Sequence, residues 1–322
     1  MRGLGRMGGN VTARSLVFPI YRNEPNIPSL LQAVAKFDAM YEGDIEFVFV
    51  IDGSPDQSGG LLVRALKDAS YRYKIIFHSR NFGSFTAIRT GLEHASGKHV
   101  AAMAADLQEP PELIVEFFSM LEKDTADVVF GRRTGRDDPL LTRFLSRAFW
   151  SVYRRLILPS MPSGGVDIFA CNRQALDAIL SIEEPNSSLV VQLFWVGFRR
   201  EFVPYRRRER EHGKSAWGIG RRLRYMMDSI FSFSDFPIVF ILWVGIAGCV
   251  LSLVFAVITV VARLLGKIDP AGYTTLVLLI VGFGSAILAV QGILGCYLWR
   301  AVENTKSRPL RIISRIVDGT SA

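Results

Sequence analysis

Cysteine is scarce in this sequence. Only three are present among 322 residues. Cys249 and Cys296 lie inside long apolar runs and Cys171 in a run of mixed character, so neither a disulfide framework nor a cysteine-built metal cluster is expected. Histidine is nearly as rare, at four. His78, His94 and His99 lack metal-ligand spacing and read as surface or strand-end residues. The opening MRGLGRMGGNVTARS has no apolar core, so no signal peptide is expected and the large N-terminal part is expected to stay unexported. Basic residues are not interleaved with aromatics as nucleic-acid motifs require, which removes nucleic acid from the partners. A phosphate loop is excluded as well: Gly213, Lys214 and Ser215 would need a glycine five positions before Gly213, where the chain has Arg208.

What the chain has in quantity is apolar sequence. Hydrophobic residues make up 49% and the mean hydropathy is +0.25, too apolar for an ordinary soluble enzyme. Two uncharged stretches account for it, Pro237 to Ala262 and Tyr273 to Trp299, and each exceeds the roughly 20 residues that span a bilayer. A pair of buried core helices is the bland alternative. Arg221, Arg222 and Arg224 precede the first stretch. Arg300, Lys306, Arg308, Arg311 and Arg315 follow the second, while the connection carries only Arg263 and Lys267 against Asp269. The positive-inside rule then places the N-terminal part and the tail in the cytoplasm, at the inner membrane. The net charge of +8 fits an anionic membrane surface and phosphate-bearing ligands.

From Ser15 to Arg132, short apolar runs alternate with amphipathic ones. Strands are expected at Ser15–Ile20, Glu46–Ile51, Lys74–His78, His99–Ala105 and Asp127–Gly131. Helices fit Ile27–Ala39, Gly59–Ala69, Phe85–His94 and Glu112–Lys123. Strand, helix, strand repeated four times argues for an α/β doubly wound, mostly parallel sheet. The strands end in PIYRNEPN, IDGSPDQS, HSRNFGS and ADLQEPPE, and the carboxyl edge of such a sheet is where a nucleotide binds. Gly53 and Ser54 read as a tight turn that brings backbone close to a ligand. In HVAAMAADLQEPPE, Asp106 with the amide and acid oxygens two and three residues on suits a hard cation; locally, a capping turn for the helix opening at Pro111 fits equally.

The order PIYRNE, VIDGSPD, SRNFGSFTAIRTGLEHASG, ADLQEPPE, GRR, VDIFACNR and REHGKSAW, followed by two apolar spans, resembles the family-2 glycosyltransferases that charge polyprenyl phosphates. These include the dolichyl-phosphate mannose synthases and the bactoprenol glucosyltransferases. The resemblance runs from Leu16 to Trp299. It implies a GT-A (Rossmann-like) fold, a UDP- or GDP-linked sugar donor, Mg2+ or Mn2+, and a polyprenyl phosphate acceptor. Pro19, Tyr21 and Glu24 resemble the first nucleotide-contacting loop, and Asp52 the acid that recognises the base. Arg80 and Asn81 fall on the Arg-Asn-x-Gly segment. Asp106 and Gln108 match the metal-binding Asp and Gln of Asp-x-Asp-x-Gln, and Arg210, Gly213 and Ser215 match Arg-x-x-Gly-x-Ser. Three positions depart: Ala104 replaces the first Asp of the metal signature, Ile51 the first Asp of Asp-Asp-Gly-Ser, and Phe169 an arginine. Strand alternation points Ile51 away from the side of Asp52.

The implied organisation is a cytoplasmic catalytic domain over 1–218, a membrane-interface helix over 219–236, a transmembrane hairpin over 237–299 and a cytoplasmic basic tail over 300–322. Leu140 to Ile157 sets Arg143, Arg147 and Arg154 with Trp150 on one stripe, which suits either a bilayer interface or a solvated surface helix. The implied reaction is attack of the lipid phosphate on the anomeric carbon with inversion. Asp106 would hold the cation, and Arg132 and Arg210 would bring the two anions together. Gln291 is placed to hydrogen-bond across the helix pair or to a neighbouring subunit, leaving a homo-oligomer open. Two spans build no obvious export path, so a separate flippase is expected. The rivals are a processive polysaccharide synthase, for which Gln192-Leu193-Phe194-Trp195 lacks the arginine of Gln-x-x-Arg-Trp, and a membrane-anchored sugar-nucleotide binder that lost catalysis at Ala104.

Overall fold

The structure, a computed structural model, describes residues 12–134, 162, 166–182, 188–207, scattered positions between 240 and 265, 272–306 and 308–319. The expectations for Leu140–Ile157, Ile219–Asp235, Arg210, Gly213 and Ser215 lie outside the described residues.

Four strand-helix units come first. β1 (Arg14–Ile20) leads through a 3-10 turn (Glu24–Asn26) into α1 (Ile27–Met40), and β2 (Ile45–Ile51) into α2 (Ser58–Leu66). β3 (Arg72–His78) is followed by α3 (Ser84–His94), and β4 (His99–Ala102) by α4 (Pro111–Glu122). Then come β5 (Val128–Arg133), β6 (Val166–Asn172), α5 (Arg173–Leu180), α6 (Leu189–Trp195) and β7 (Arg200–Tyr205). With β8 (Ile313–Gly319), the sheet order is β7-β5-β6-β4-β1-β2-β3-β8. Only β6 and β8 run against the others, through antiparallel pairing with β4, β5 and β3.

Helices cover both faces of the sheet, which is why β2, IEFVFVI, is buried at every position rather than alternating. Leu16, Phe18 and Ile20 of β1 and Phe47, Phe49 and Ile51 of β2 pack in one cluster with the apolar stripes of α1, α2 and α4. Ile51 therefore does face away from Asp52. On the opposite face α3 lies so close to β1 that a Cβ at Gly91 would stand 2.2 Å from Val17 Cγ1. At the amino edge, buried Glu46 accepts hydrogen bonds from Ser15 Oγ, Ser96 N and Lys74 Nζ. Burial by itself would raise its pKa, but the Lys74 ammonium and these donors outweigh it, and the net shift is downward.

Two expectations are corrected. The apolar run His99–Ala105 is strand only as far as Ala102: the register with β1 ends at Val17, and Met103 N still donates to Val17 O before the chain turns. The expected tail over 300–322 is no mere tail, since it carries β8 (Ile313–Gly319), antiparallel to β3. Ser79 N donates to Ile312 O, Ser314 Oγ to Phe77 O, and Arg311 pairs with Glu93 of α3. Sequence periodicity also gave no sign of β6, β7, α5 and α6.

By connectivity, residues 220–307 form a second compact unit inserted between 219 and 308 of the first. Described residues from 240 to 264 are helical, and α7 spans Tyr273–Thr305. Over the described residues, no helix is long and apolar enough to cross a membrane. Large hydrophobic side chains of this unit are nevertheless exposed, among them Trp243, Leu264, Ile280, Leu298 and Trp299.

Candidate active site

The loops at the carboxyl ends of β1, β2 and β3 are tied into one assembly. Gly53 has φ +58°, and a Cβ there would stand 2.2 Å from Arg80 C and 2.4 Å from Asn81 N. The turn after β2 thus needs glycine for the approach of the loop after β3. On its other side, Arg22 N donates to Ser54 Oγ (2.7 Å), Asn23 N to Ser58 Oγ (3.2 Å) and Glu24 N to Asp56 Oδ2 (3.1 Å). Glu24 returns the contact by accepting from Gln57 N at 2.9 Å.

Asp52 lies beneath these loops, 2% exposed. Its carboxylate accepts from Phe82 N, Gly83 N and His78 Nδ1, each at 2.8 Å. The first two donors sit at the amino end of α3, where a carboxylate also meets the positive end of the helix dipole. His78 Nε2 lies 2.9 Å from Thr90 Oγ1, whose own proton goes to Thr86 O. Above them, Arg80 and Asn81 are exposed, and the Arg80 guanidinium rests 4.2 Å from the centre of the Phe82 ring.

The turn after β4 starts at Met103. Leu107 N donates to Ala104 O, and Leu107 takes a left-handed φ of +51°. That reversal leaves Asp106 half-buried and Gln108 buried, with Gln108 N 3.5 Å from Asp106 Oδ1. Glu109 is 2% exposed. Its Oε1 pairs with Arg207 Nε at 3.6 Å while Oε2 is buried without a hydrogen bond. Burial pushes its pKa up, and Arg207 offsets that only in part. Arg132 is exposed near the end of β5, next to Pro204 of β7 in register. Asp106 also lines a cavity of about 450 Å³ with Asn26, Ser29, Lys36 and Glu112.

A buried three-donor acid, two exposed polar residues and a half-buried acid therefore share one sheet edge, as in nucleotide-dependent α/β enzymes. Residues 15–180 match the family described as glycosyl transferase family 2. The chain belongs to glycosyl transferase family 2. An uncharacterized glycosyltransferase of Synechocystis is 30% identical to this glycosyltransferase over 301 residues, covering 93% of this chain and 94% of the relative. The SfII prophage-derived bactoprenol glucosyl transferase of Shigella flexneri is 29% identical over 302 residues, 94% of this chain and 97% of the relative. Among solved structures, a mannosyltransferase of Pyrobaculum calidifontis in complex with GDP-Man and Mn2+ is 19% identical, with a TM-score of 0.48 and coverage of 92% of this chain and 88% of that one.

In this glycosyltransferase the edge of the sheet brings together Tyr21, Glu24, Asp52, Arg80, Asn81 and Asp106, with Pro19 half-buried inside β1. The Asp52 carboxylate is turned inward and engaged with the protein itself. His78, read as a surface or strand-end residue, is a strand-end residue with its side chain fully buried. Phe169 fills the core, 3% exposed, between Ala102 and Phe130 of the flanking strands. Gln192 is buried too and accepts from Arg89 at 3.4 Å, so it serves the packing of α6 on α3. Sequence reasoning missed the Asp52–His78 pair, and the only signal was a polar residue closing an apolar strand.

Proposed function

We propose that this glycosyltransferase moves a single sugar from a UDP- or GDP-linked donor to a polyprenyl phosphate at the cytoplasmic face of the inner membrane, with inversion. The observation that carries the reading is the extent of the relationship to a bactoprenol glucosyl transferase. It covers 94% of this chain and so takes in most of residues 220–307, well beyond the family domain at 15–180. Exposed apolar side chains of the inserted unit support membrane contact. Connectivity supports the orientation: the chain leaves the first unit at 219 and rejoins it at 308, so any crossings between must be even in number.

The residues present fit a divalent cation of the Mg2+ or Mn2+ kind. Such an ion takes one or two carboxylates and completes its shell with water and substrate phosphates. Asp106 supplies the carboxylate and Gln108 the amide oxygen. Among the described residues no group of three His, Cys, Asp or Glu side chains forms a cage, so the fit is to an ion shared with a diphosphate. Bound there, it would neutralise the charge that grows on the leaving group. Arg80 and Asn81 orient the donor from the opposite loop, and Arg132 attracts the acceptor. A phosphate monoester with second pKa near 6 is already mostly dianionic at neutral pH, so the protein need supply no strong base. Arg210 and Ser215 remain assigned to the two phosphates by resemblance, and a separate flippase is expected to move the product.

The test is purified full-length protein with polyprenyl phosphate, a panel of labelled nucleotide sugars, and Mg2+, Mn2+ or chelator. A single-sugar lipid formed only with the metal supports the proposal. A long polymer would favour a processive synthase, and donor binding without turnover across the panel would favour a binder disabled at Ala104.

A further inference from the structure

We infer that His78 is a positioning residue: through Asp52 it latches the loop Arg80–Gly83, and thereby presents Arg80 and Asn81 to the sugar-nucleotide. The inference rests on the reading of that loop as donor-facing. The latch joins three elements that have no contiguous sequence: the end of β2 (Asp52), the end of β3 (His78) and the start of α3 (Phe82 N and Gly83 N). Both side chains are almost wholly buried, at 0% for His78 and 3% for Asp52. A buried carboxylate is retained only where donors satisfy it, and here it has three. The far side of the imidazole is fixed as well, by Thr90 Oγ1 at 2.9 Å. The ring is also edge-on to Phe82, with centroids 5.5 Å apart and planes at 86°. Phe82 in turn supports the Arg80 guanidinium. Without the His78–Asp52 contact, Asp52 still faces the Phe82 and Gly83 amides but loses the side-chain donor that fixes its carboxylate against them.

The two nitrogens can be separated genetically. An asparagine amide can take the place of Nδ1, so His78→Asn retains a donor to Asp52 and loses the partner at Thr90. His78→Gln extends to the place of Nε2 and leaves Asp52 short of a donor. In full-length protein, donor KM and kcat are measured for both variants and for Asp52→Asn, together with UDP and GDP binding and amide hydrogen exchange at Phe82 and Gly83. A hydrogen bond to a charged group is worth about 1.5–3 kcal/mol, or roughly 10–100-fold. His78→Gln and Asp52→Asn are therefore expected to raise donor KM at least about tenfold, with kcat changing far less, and to lose protection at Phe82 and Gly83. His78→Asn is expected to stay within a few-fold of wild type. Equal effects of Asn and Gln would reduce His78 to a filler of space and overturn the inference. Unchanged exchange at Phe82 and Gly83 would refute the latch even if wild type bound no nucleotide, an outcome that by itself would sink the donor reading instead.

Discussion

Gly53→Ala puts the loop assembly to its sharpest test. Two costs add. An L-residue forced to φ +58° loses about 1–2 kcal/mol relative to glycine. The new methyl would also stand 2.2 Å from Arg80 C and 2.4 Å from Asn81 N. Both are backbone atoms that cannot swing aside, so overpacking adds roughly 1–3 kcal/mol. The expected sum is a loss of about 2–5 kcal/mol, which for a unit of this size lowers Tm by roughly 5–15 °C. Because relief comes from moving the Arg80–Asn81 backbone, donor affinity should fall together with stability. Gly60→Ala is the internal control: Gly60 lies in α2, and its added Cβ meets only the flexible Gln57 side-chain oxygen at 3.3 Å. Removing a helical glycine gains about 0.5–1 kcal/mol. Thermal melts and nucleotide titrations on the two variants decide the matter, and a Gly53→Ala protein as stable as Gly60→Ala would refute the argument.

Asp106→Ala should remove turnover by at least about a hundredfold while the melt changes little, since the side chain is half-exposed and outside the core; full transfer activity would undo the cation assignment. Glu46→Gln should cost about 3 kcal/mol by leaving the Lys74 ammonium without its partner. The folded pKa of Glu46 is below its unfolded one. Its contribution is therefore fully present above the unfolded value and lost as pH falls through the folded value, so the variant's acid unfolding limb should be flatter in melts taken from pH 7 to 3. Truncation after Ser307 should destabilise the catalytic unit, because it strips β3 of its antiparallel partner and Glu93 of Arg311. Unaltered melting and donor KM would show β8 to be dispensable.

The four strand-helix units were legible because doubly covered strands read as unbroken apolar runs and their helices carry one apolar stripe. β6, β7 and β8 were not. Asp167 and Asn172 interrupt β6, Pro204 interrupts β7, and β8 is a half-exposed edge whose burial pattern has no clean period. The end of β4 was hidden for the opposite reason: Val100 to Ala105 is uniformly apolar, and only pairing with β1 decides where strand gives way to turn. At the site, the strand ends identified which residues would gather. They could not show which way Asp52 faces, since its partners lie 26, 30 and 31 residues away and their donors emerge only once β3 and α3 are docked.

β8 also sets an order on assembly. Ser314 reaches Phe77 across 237 positions, so β3 keeps an open edge until that length of chain beyond it has been made. An unpaired strand edge invites pairing with other chains, and closing so long a loop delays the protective contact. Synthesis delivers residues 220–307 before β8, so the sheet is still incomplete when the inserted unit has been made. Completion of the sheet therefore requires that the whole insertion before it has been made.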